Sequence, residues 1–445
     1  ALLVCGGAVA QTVTVPGGFS TISAAIASFS GDVTPGDNVV EITTVGPHTD
    51  VITIGAEPIT IRGNTGGDRP IILLQDNGGD GIVVNNGSNL NAVENVILLP
   101  ASTSTPTDDG IWITGAGTEC SFTDVLITAN NGSDQPAGDP TGLTLPDLTG
   151  AIPFPDECLN TSAGGIFHLT NTVITANPGT SGNSDLIGSF SSSGQGHTIN
   201  EGCVLSYAPR YCAQINSGVT IQGTRENPVI FHGAGQAGGY GVGVGHFGGG
   251  TYSISNAIIS GTGGTIGMQG MYIYDSLSGD TNVQANIEHV AFVNNAGAGL
   301  EVWTGTTAMP VSGCTFVNNG NAIILSTTEA DDVDINVTDT IVAGNGSTVV
   351  DENSILNDTL ATITLNHCAA VTDGTYALNA IGASLEFTIS DNPIFYEVND
   401  FTQTDFLDVG SAAYETAATG GMPLKGYGDY APVVVTGVED AELYR

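Results

Sequence analysis

Basic residues are what this chain lacks. Lysine and arginine together number 6 against 45 aspartates and glutamates, a formal net charge of −39, and Lys425 is the only lysine. A surface with so few cations can neither neutralise a run of phosphates nor release their counterions. Nucleic-acid binding, ATP or GTP hydrolysis and attachment to anionic membranes are therefore excluded. Charge of either sign is scarce: 11% of residues are charged, against about 25% in an average globular protein. A salt-adapted cytosolic protein is a poor fit for the same reason, and Ser, Thr, Asn, Asp and Gly must carry solubility, as in many secreted and cell-surface proteins. No apolar stretch reaches the roughly 20 residues of a membrane span. No CxxC pair or Cys/His cluster has the spacing of a zinc site.

What is present is glycine, 63 residues of it, and a hydrophobic fraction of 40%. That fraction excludes a disordered chain. The opening ALLVCGGAVA is an apolar run ending in small residues. Ala8 and Ala10 stand where a signal peptidase needs them, predicting a secretory signal remnant cut before Gln11. Cys5 would leave with it. The remaining six, Cys120, Cys158, Cys203, Cys212, Cys314 and Cys368, allow disulfides in an exported protein. Only Cys203–Cys212 is close enough in sequence to be expected. Cys314 and Cys368 also read as small buried core residues.

One short phrase recurs along the chain. It appears as AVENVILL (92–99), FTDVLITANNG (122–132), LTNTVITANPG (169–179), ISNAIISGTGG (254–264), IEHVAFVNNAG (287–297), VSGCTFVNNGN (311–321) and VTDTIVAGNGS (337–347). A second phrase falls between the copies: DGIVVNNG (80–87), DGIWITGAG (109–117), GGIFHLTN (164–171) and GAGLEVWTG (297–305). From Phe292 to Phe316 to Val342 the copies are about 24 to 26 residues apart. Alternating apolar residues, β-branched enrichment and Gly/Asn turns predict short strands, two or three to a coil. This much glycine among Val, Ile and Thr contradicts a helical repeat, and the period is too short for a propeller blade. The reading is a β-solenoid whose coils stack at about 4.8 Å. Val125, Ile127, Val290, Phe292 and Phe316 are expected inside. Asn294, Asn318 and Asn345 recur at matching points and suggest an asparagine ladder.

These phrases resemble the right-handed parallel β-helix superfamily of pectate lyases, polygalacturonases and secreted β-helix repeat proteins, over roughly residues 12–432. The entry VTVPGGFSTISAAIASFSG is similar to a capping helix with Phe19, Ile22, Ile26 and Phe29 on one face and Gly31 to stop it. The exit SDNPIFYEVNDFTQTDFLDVGSAAYETA…GYGDYAP resembles the closing segment of large exported bacterial β-helix proteins, with Asp391, Pro393, Phe395, Asp405, Leu407, Gly410, Ser411 and Gly428 at matching points. The resemblance implies an all-β fold, a single right-handed parallel β-helix. Its expected organisation is a signal remnant (1–10), an N-terminal cap (11–31), the helix proper (32–390) with a Pro-rich inserted loop (133–157), a C-terminal cap (391–432) and a tail (433–445).

The enzyme motifs of that superfamily are incomplete here. Asp108–Asp109 and the GQGHT and VGHFG phrases match fragments of a polygalacturonase, but the Arg-Ile-Lys element is absent. Glycoside hydrolysis needs two carboxylates across one bond, and adjacent acids such as Asp108–Asp109 and Asp331–Asp332 arise readily among 45; Asp109 reads equally as the residue that opens a strand. β-Elimination of a uronate needs a base and a cation, and Arg210, Arg225 and His232 make only a loose group. No Ser-His-Asp spacing stands out, and His197 and His246 lie in Gly-rich segments. No cofactor is required. Ca²⁺ is the one candidate ion, at Asp331, Asp332 and Asp334. The expected function is an extracellular structural or adhesive protein, not an enzyme, that self-associates into a fibre or surface layer. Assembly would use Phe395, Tyr396, Phe401, Phe406, Tyr414, Tyr427 and Tyr430. The alternative is a polysaccharide-binding or polysaccharide-degrading β-helix protein, of lyase or glycosidase type.

Overall fold

A computed structural model describes residues 11–30, 38–55, 57–101, 108–128, 157–175, 185–189, 196–206, 211–216, 218–224, 227–233, 240–244, 251–261, 269–273, 284–293, 295–302, 306–317, 319–325, 333–338, 340–343, 361–366, 369–371 and 384–386. Among these, every strand-to-strand pairing is parallel, and each strand pairs with its counterpart one coil earlier and one coil later. This is a parallel β-helix.

Each coil contributes to three faces. In the coil after the first strand, Gln11–Val15, the strands Asn38–Ile42, His48–Asp50 and Ile52–Ile54 lie on the first, second and third faces in that order. The third face is a 10-stranded sheet ending at Asn321–Leu325. The first and second faces are joined into one 24-stranded sheet because Thr251–Ser260 and Gln284–Val293 run through the corner between them.

That corner explains a recurrent piece of the sequence phrase. Asn95, Asp124, Asn171, Asn256 and His289 each hold a positive φ between 47° and 56° at the turn from first to second face. Asn, Asp and His are the non-glycine residues that best tolerate this conformation; Gly202 and Gly313 fill the same place in other coils. The next residue always points inward and is small or β-branched: Val96, Val125, Thr172, Cys203, Val229, Ala257, Val290, Cys314 and Thr340, each buried. Asn95 and Asn256 donate from Nδ2 to the carbonyls of Gly63 and Gly223 one coil below, both at 3.0 Å. Those two positions must be glycine, since an added Cβ would lie 2.1 Å from the Asn95 oxygen and 2.3 Å from the Asn256 oxygen.

Asn294, Asn318 and Asn345 lie outside the described residues. A ladder occurs one position later, where Asn295 Nδ2 donates to Asn319 Oδ1 at 2.8 Å and Asn319 Nδ2 to the Phe292 carbonyl at 2.9 Å.

The interior is the expected stack of equivalent side chains. Val125, Ile127, Val290, Phe292 and Phe316 are all fully buried, and the rings of Phe292 and Phe316 stack with centroids 4.6 Å apart. The helix at the N-terminal end spans Ile22–Ala27, capped by the Thr21 side chain at its start and by Ser28 at its end. It is shorter than the sequence pattern suggested, but Ile22 and Phe29 are buried, and Phe19 and Ile26 pack against the core.

The outer faces differ in chemistry. First-face strands alternate inward apolar with outward Ser, Thr and Asn, as in Glu119–Thr123 and His197–Asn200. The outward side of the second face is aliphatic instead, and Ile258, Ala291 and Val293, with Ile230, form a separate apolar cluster there.

One expectation is overturned. Cys203 and Cys212 form no disulfide; both are buried thiols. Cys203 occupies the Val/Thr position of the corner column, and Cys212 lies on the third face, so both side chains serve as core. The corner thiols behave like the corner threonines: Cys314 Sγ lies 3.3 Å from the Ser312 carbonyl, as Thr172 and Thr340 Oγ1 donate to the Thr170 and Thr338 carbonyls.

Candidate functional site

Among the described residues, a column of carboxylates runs along one edge of the third face. Asp50, Asp80, Asp109, Glu157 and Asp185 each stand two residues before the strand beginning at Ile52, Ile82, Ile111, Leu159 or Ile187. The strand register stacks these positions one above another at the coil spacing, about 4.8 Å. All five residues are buried, between 1% and 8% exposed.

Like charges at this spacing repel, and hydrogen bonds from backbone amides offset the repulsion. Asp109 N–H donates to Asp80 Oδ1 at 3.4 Å, Glu157 N–H to Asp109 Oδ1 at 3.3 Å and Tyr211 N–H to Asp185 Oδ1 at 3.1 Å. Asp109 also accepts from Asn160 Nδ2 at 2.8 Å. At the bottom rung Asp50 accepts from Ser23 N–H at 2.9 Å and Ser23 Oγ at 2.7 Å, tying the capping helix to the first coil.

Burial first, and the Asp109 charge second, push the Asp80 carboxyl up to about 6, with Asp108 and Asp76 adding to the effect. Burial likewise raises the thiols of Cys158 and Cys203 to about 12, the Glu157 and Asp109 charges contributing at Cys158. These thiols are protonated at neutral pH and are not nucleophiles.

Chemically, the column is a set of coil-to-coil acceptors. Asp50, Asp80, Asp109 and Asp185 each accept from a backbone amide. Beside it on the outer face, Trp112 Nε1 donates to Ser162 Oγ at 2.9 Å, and Ser162 Oγ to Thr114 Oγ1 at 3.0 Å. Elsewhere, a cavity of about 500 Å³ opens between the capping helix and the first coil, lined by Ser23, Ile26, Val51, Thr53, Glu57 and their neighbours.

The sequence singled out only Asp109 of these five, as the residue opening a strand, which is its place here. The signal for the rest was in the repeated DGI phrase and its degenerate copies TDVITI, DECLNTS and SDLIGS. His197 is buried, stacked on Phe167 at 4.4 Å and 3.1 Å from Ser189 Oγ. His232 Nδ1 lies 3.0 Å from Ser260 Oγ. Arg210, Arg225 and His246 lie outside the described residues, as do Asp331, Asp332 and all of Phe395, Tyr396, Phe401, Phe406, Tyr414, Tyr427 and Tyr430. Asp334 lies in the strand Val333–Thr338. Among the described residues, no group of three or more His, Cys, Asp and Glu side chains is arranged to hold a metal ion.

No protein-family profile matches the chain, and no curated protein does. Among solved structures the chain is similar to pectate lyase Pel9A, at 11% identity and a TM-score of 0.48, covering 95% of this chain and 97% of that one. It is also similar to bacteriophage CBA120 tailspike protein 3, at 12% identity and a TM-score of 0.27, covering 83% and 60%. The stacked parallel register identifies the fold as a parallel β-helix.

Proposed function

We propose that the chain is an extracellular structural or adhesive β-helix protein that acts through its long outer faces and self-associates. The observation carrying this reading is the carboxylate column. The acids nearest one another in space accept backbone hydrogen bonds between coils and are at most 8% exposed. They serve as hydrogen-bond acceptors between neighbouring coils. The outward positions of the first face support it too: Ser121, Thr123, Thr170, Thr198, Asn200, Thr220, Gln222, Ser253 and Ser255 make a broad surface of hydroxyls and amides in a chain of net charge −39. Such a surface can meet a neutral partner, or a second copy, without repulsion.

The second reading is action on a polysaccharide chain. Asp80, raised to about 6, stands next to Asp109, and glycosidic cleavage uses a pair of carboxyl groups of which one has a raised value. One experiment separates the two. The full chain is incubated with neutral and uronate polysaccharides while products are followed by chromatography, and its sedimentation is measured across salt and Ca²⁺ concentrations. The structural reading expects no chain cleavage and an association that grows as salt screens the negative charge. Cleavage products that vanish on Asp80→Asn or Asp109→Asn overturn it.

A further inference from the structure

Three neighbouring coils bring together a hydroxyl, an imidazole and a carboxylate on the outer side of the first face, away from the carboxylate column. Glu119 Oε2 lies 3.0 Å from His168 Nε2, and His168 Nδ1 lies 3.0 Å from Thr198 Oγ1. The residues come from the paired strands Glu119–Thr123, Ile166–Thr170 and His197–Asn200. They point outward in the inside/outside alternation of those strands, with the His168 and Glu119 side chains 28% and 29% exposed.

The hydrogen-bond roles follow from the groups. An ionised carboxylate only accepts, so the proton between Glu119 and His168 sits on Nε2. In the neutral imidazole Nδ1 is then an acceptor, and the proton between it and Thr198 belongs to the threonine. Thr198 Oγ1 accepts in turn from Asn200 Nδ2 at 3.3 Å. Every group is satisfied in one tautomer, and that tautomer points a base at an accessible hydroxyl. The arrangement meets the geometric requirements for an activated nucleophile: hydroxyl to base, and base to an orienting acid.

We infer that Thr198 is a nucleophile toward acyl esters, with His168 as its base and Glu119 as a positioning residue. This goes beyond the structural reading and does not depend on it. Thr198 Oγ1 attacks the ester carbonyl carbon as its proton passes to His168 Nδ1. The bond to the alcohol oxygen breaks and the same proton leaves with the alcohol. Water, deprotonated by His168, then cleaves the acyl-threonine to carboxylic acid and restores the hydroxyl. Asn200 Nδ2, which also donates to Thr170 Oγ1 at 3.1 Å, holds the Thr198 hydroxyl in place. The uncharged surroundings, Ser121, Thr170 and Thr220, suit a neutral ester such as an O-acyl group on a hydroxylated polymer.

The probe is p-nitrophenyl acetate with the full chain. Turnover is expected, with an acetyl group mapped by peptide mass to Thr198 after acid quench. His168→Gln should slow it about 100-fold or more. Glu119→Gln should shift the pH–rate profile, which a merely structural contact would not move. Thr198→Val, which keeps a β-branched side chain on the outer face, sets the background. Wild-type turnover no faster than that variant, or acetyl mapped to another residue, overturns the inference.

Discussion

Replacing Asp80 by Asn isolates the electrostatic cost of the carboxylate column. The amide keeps an oxygen for the Asp109 N–H and removes the charge that faces Asp109, Asp108 and Asp76. Asp80 titrates near 6 in the fold against 3.8 unperturbed. A raised folded-state value means the native state holds the proton more tightly than the unfolded chain does. The penalty is therefore absent below the unfolded value, grows as pH rises between the two, and stays constant above the folded value. At about 1.4 kcal/mol per pH unit the full shift corresponds to about 3 kcal/mol. Solvent at the rim of the solenoid screens part of it, leaving about 1–2 kcal/mol. Asp80→Asn should thus stabilise the surrounding coils at pH 7 and have only a small remaining effect near pH 4. A long solenoid unfolds in local units, so the assay is hydrogen exchange of the amides in Ile82–Val84 and Ile111–Thr114. Exchange should slow about 5- to 30-fold relative to wild type at pH 7, intrinsic pH effects cancelling in the ratio. Faster exchange in the variant, or a difference that persists undiminished near pH 4, would refute the reasoning.

Cys203→Val should change stability by less than about 1.5 kcal/mol, because valine already fills this place at Val125 and Val229. Reductant should leave the melting temperature unchanged, and native-state alkylation followed by mass spectrometry should find Cys158 and Cys203 unmodified at pH 8. Phe292→Ala should cost about 3–5 kcal/mol, since it deletes a ring stacked on Phe316 inside the core; the check is loss of exchange protection in both coils. Gly223→Ala should destabilise by about 1–3 kcal/mol, because the new Cβ would lie 2.3 Å from the Asn256 carbonyl oxygen and 2.7 Å from the Val229 nitrogen. Thermal unfolding of that variant against wild type measures it.

The coil was legible in the sequence because it is written in the inward residues. Their alternation survives any change in the loops, so Phe292, Phe316 and Val342 could be placed in register from spacing alone, and the structure pairs them so. The corner was half legible: Asn, Asp and His recur there, but only the positive φ shows why those three types alternate with glycine. The outward residues follow a different rule. Which of them meet depends on how many residues each loop inserts between coils, and that number is not constant. Asp109 and Glu157 are 48 residues apart and adjacent in space, while Asp80 and Asp109 are 29 apart and equally adjacent. Glu119, His168 and Thr198 are separated by 49 and 30 residues, so no fixed motif spacing could have found them. The disulfide expectation failed for the converse reason. Cys203 and Cys212 are near in sequence, but the chain passes from the second face to the third between them. In a solenoid, nearness along the chain separates side chains onto different faces. A whole coil of sequence brings them together, so its sites must be sought one period apart.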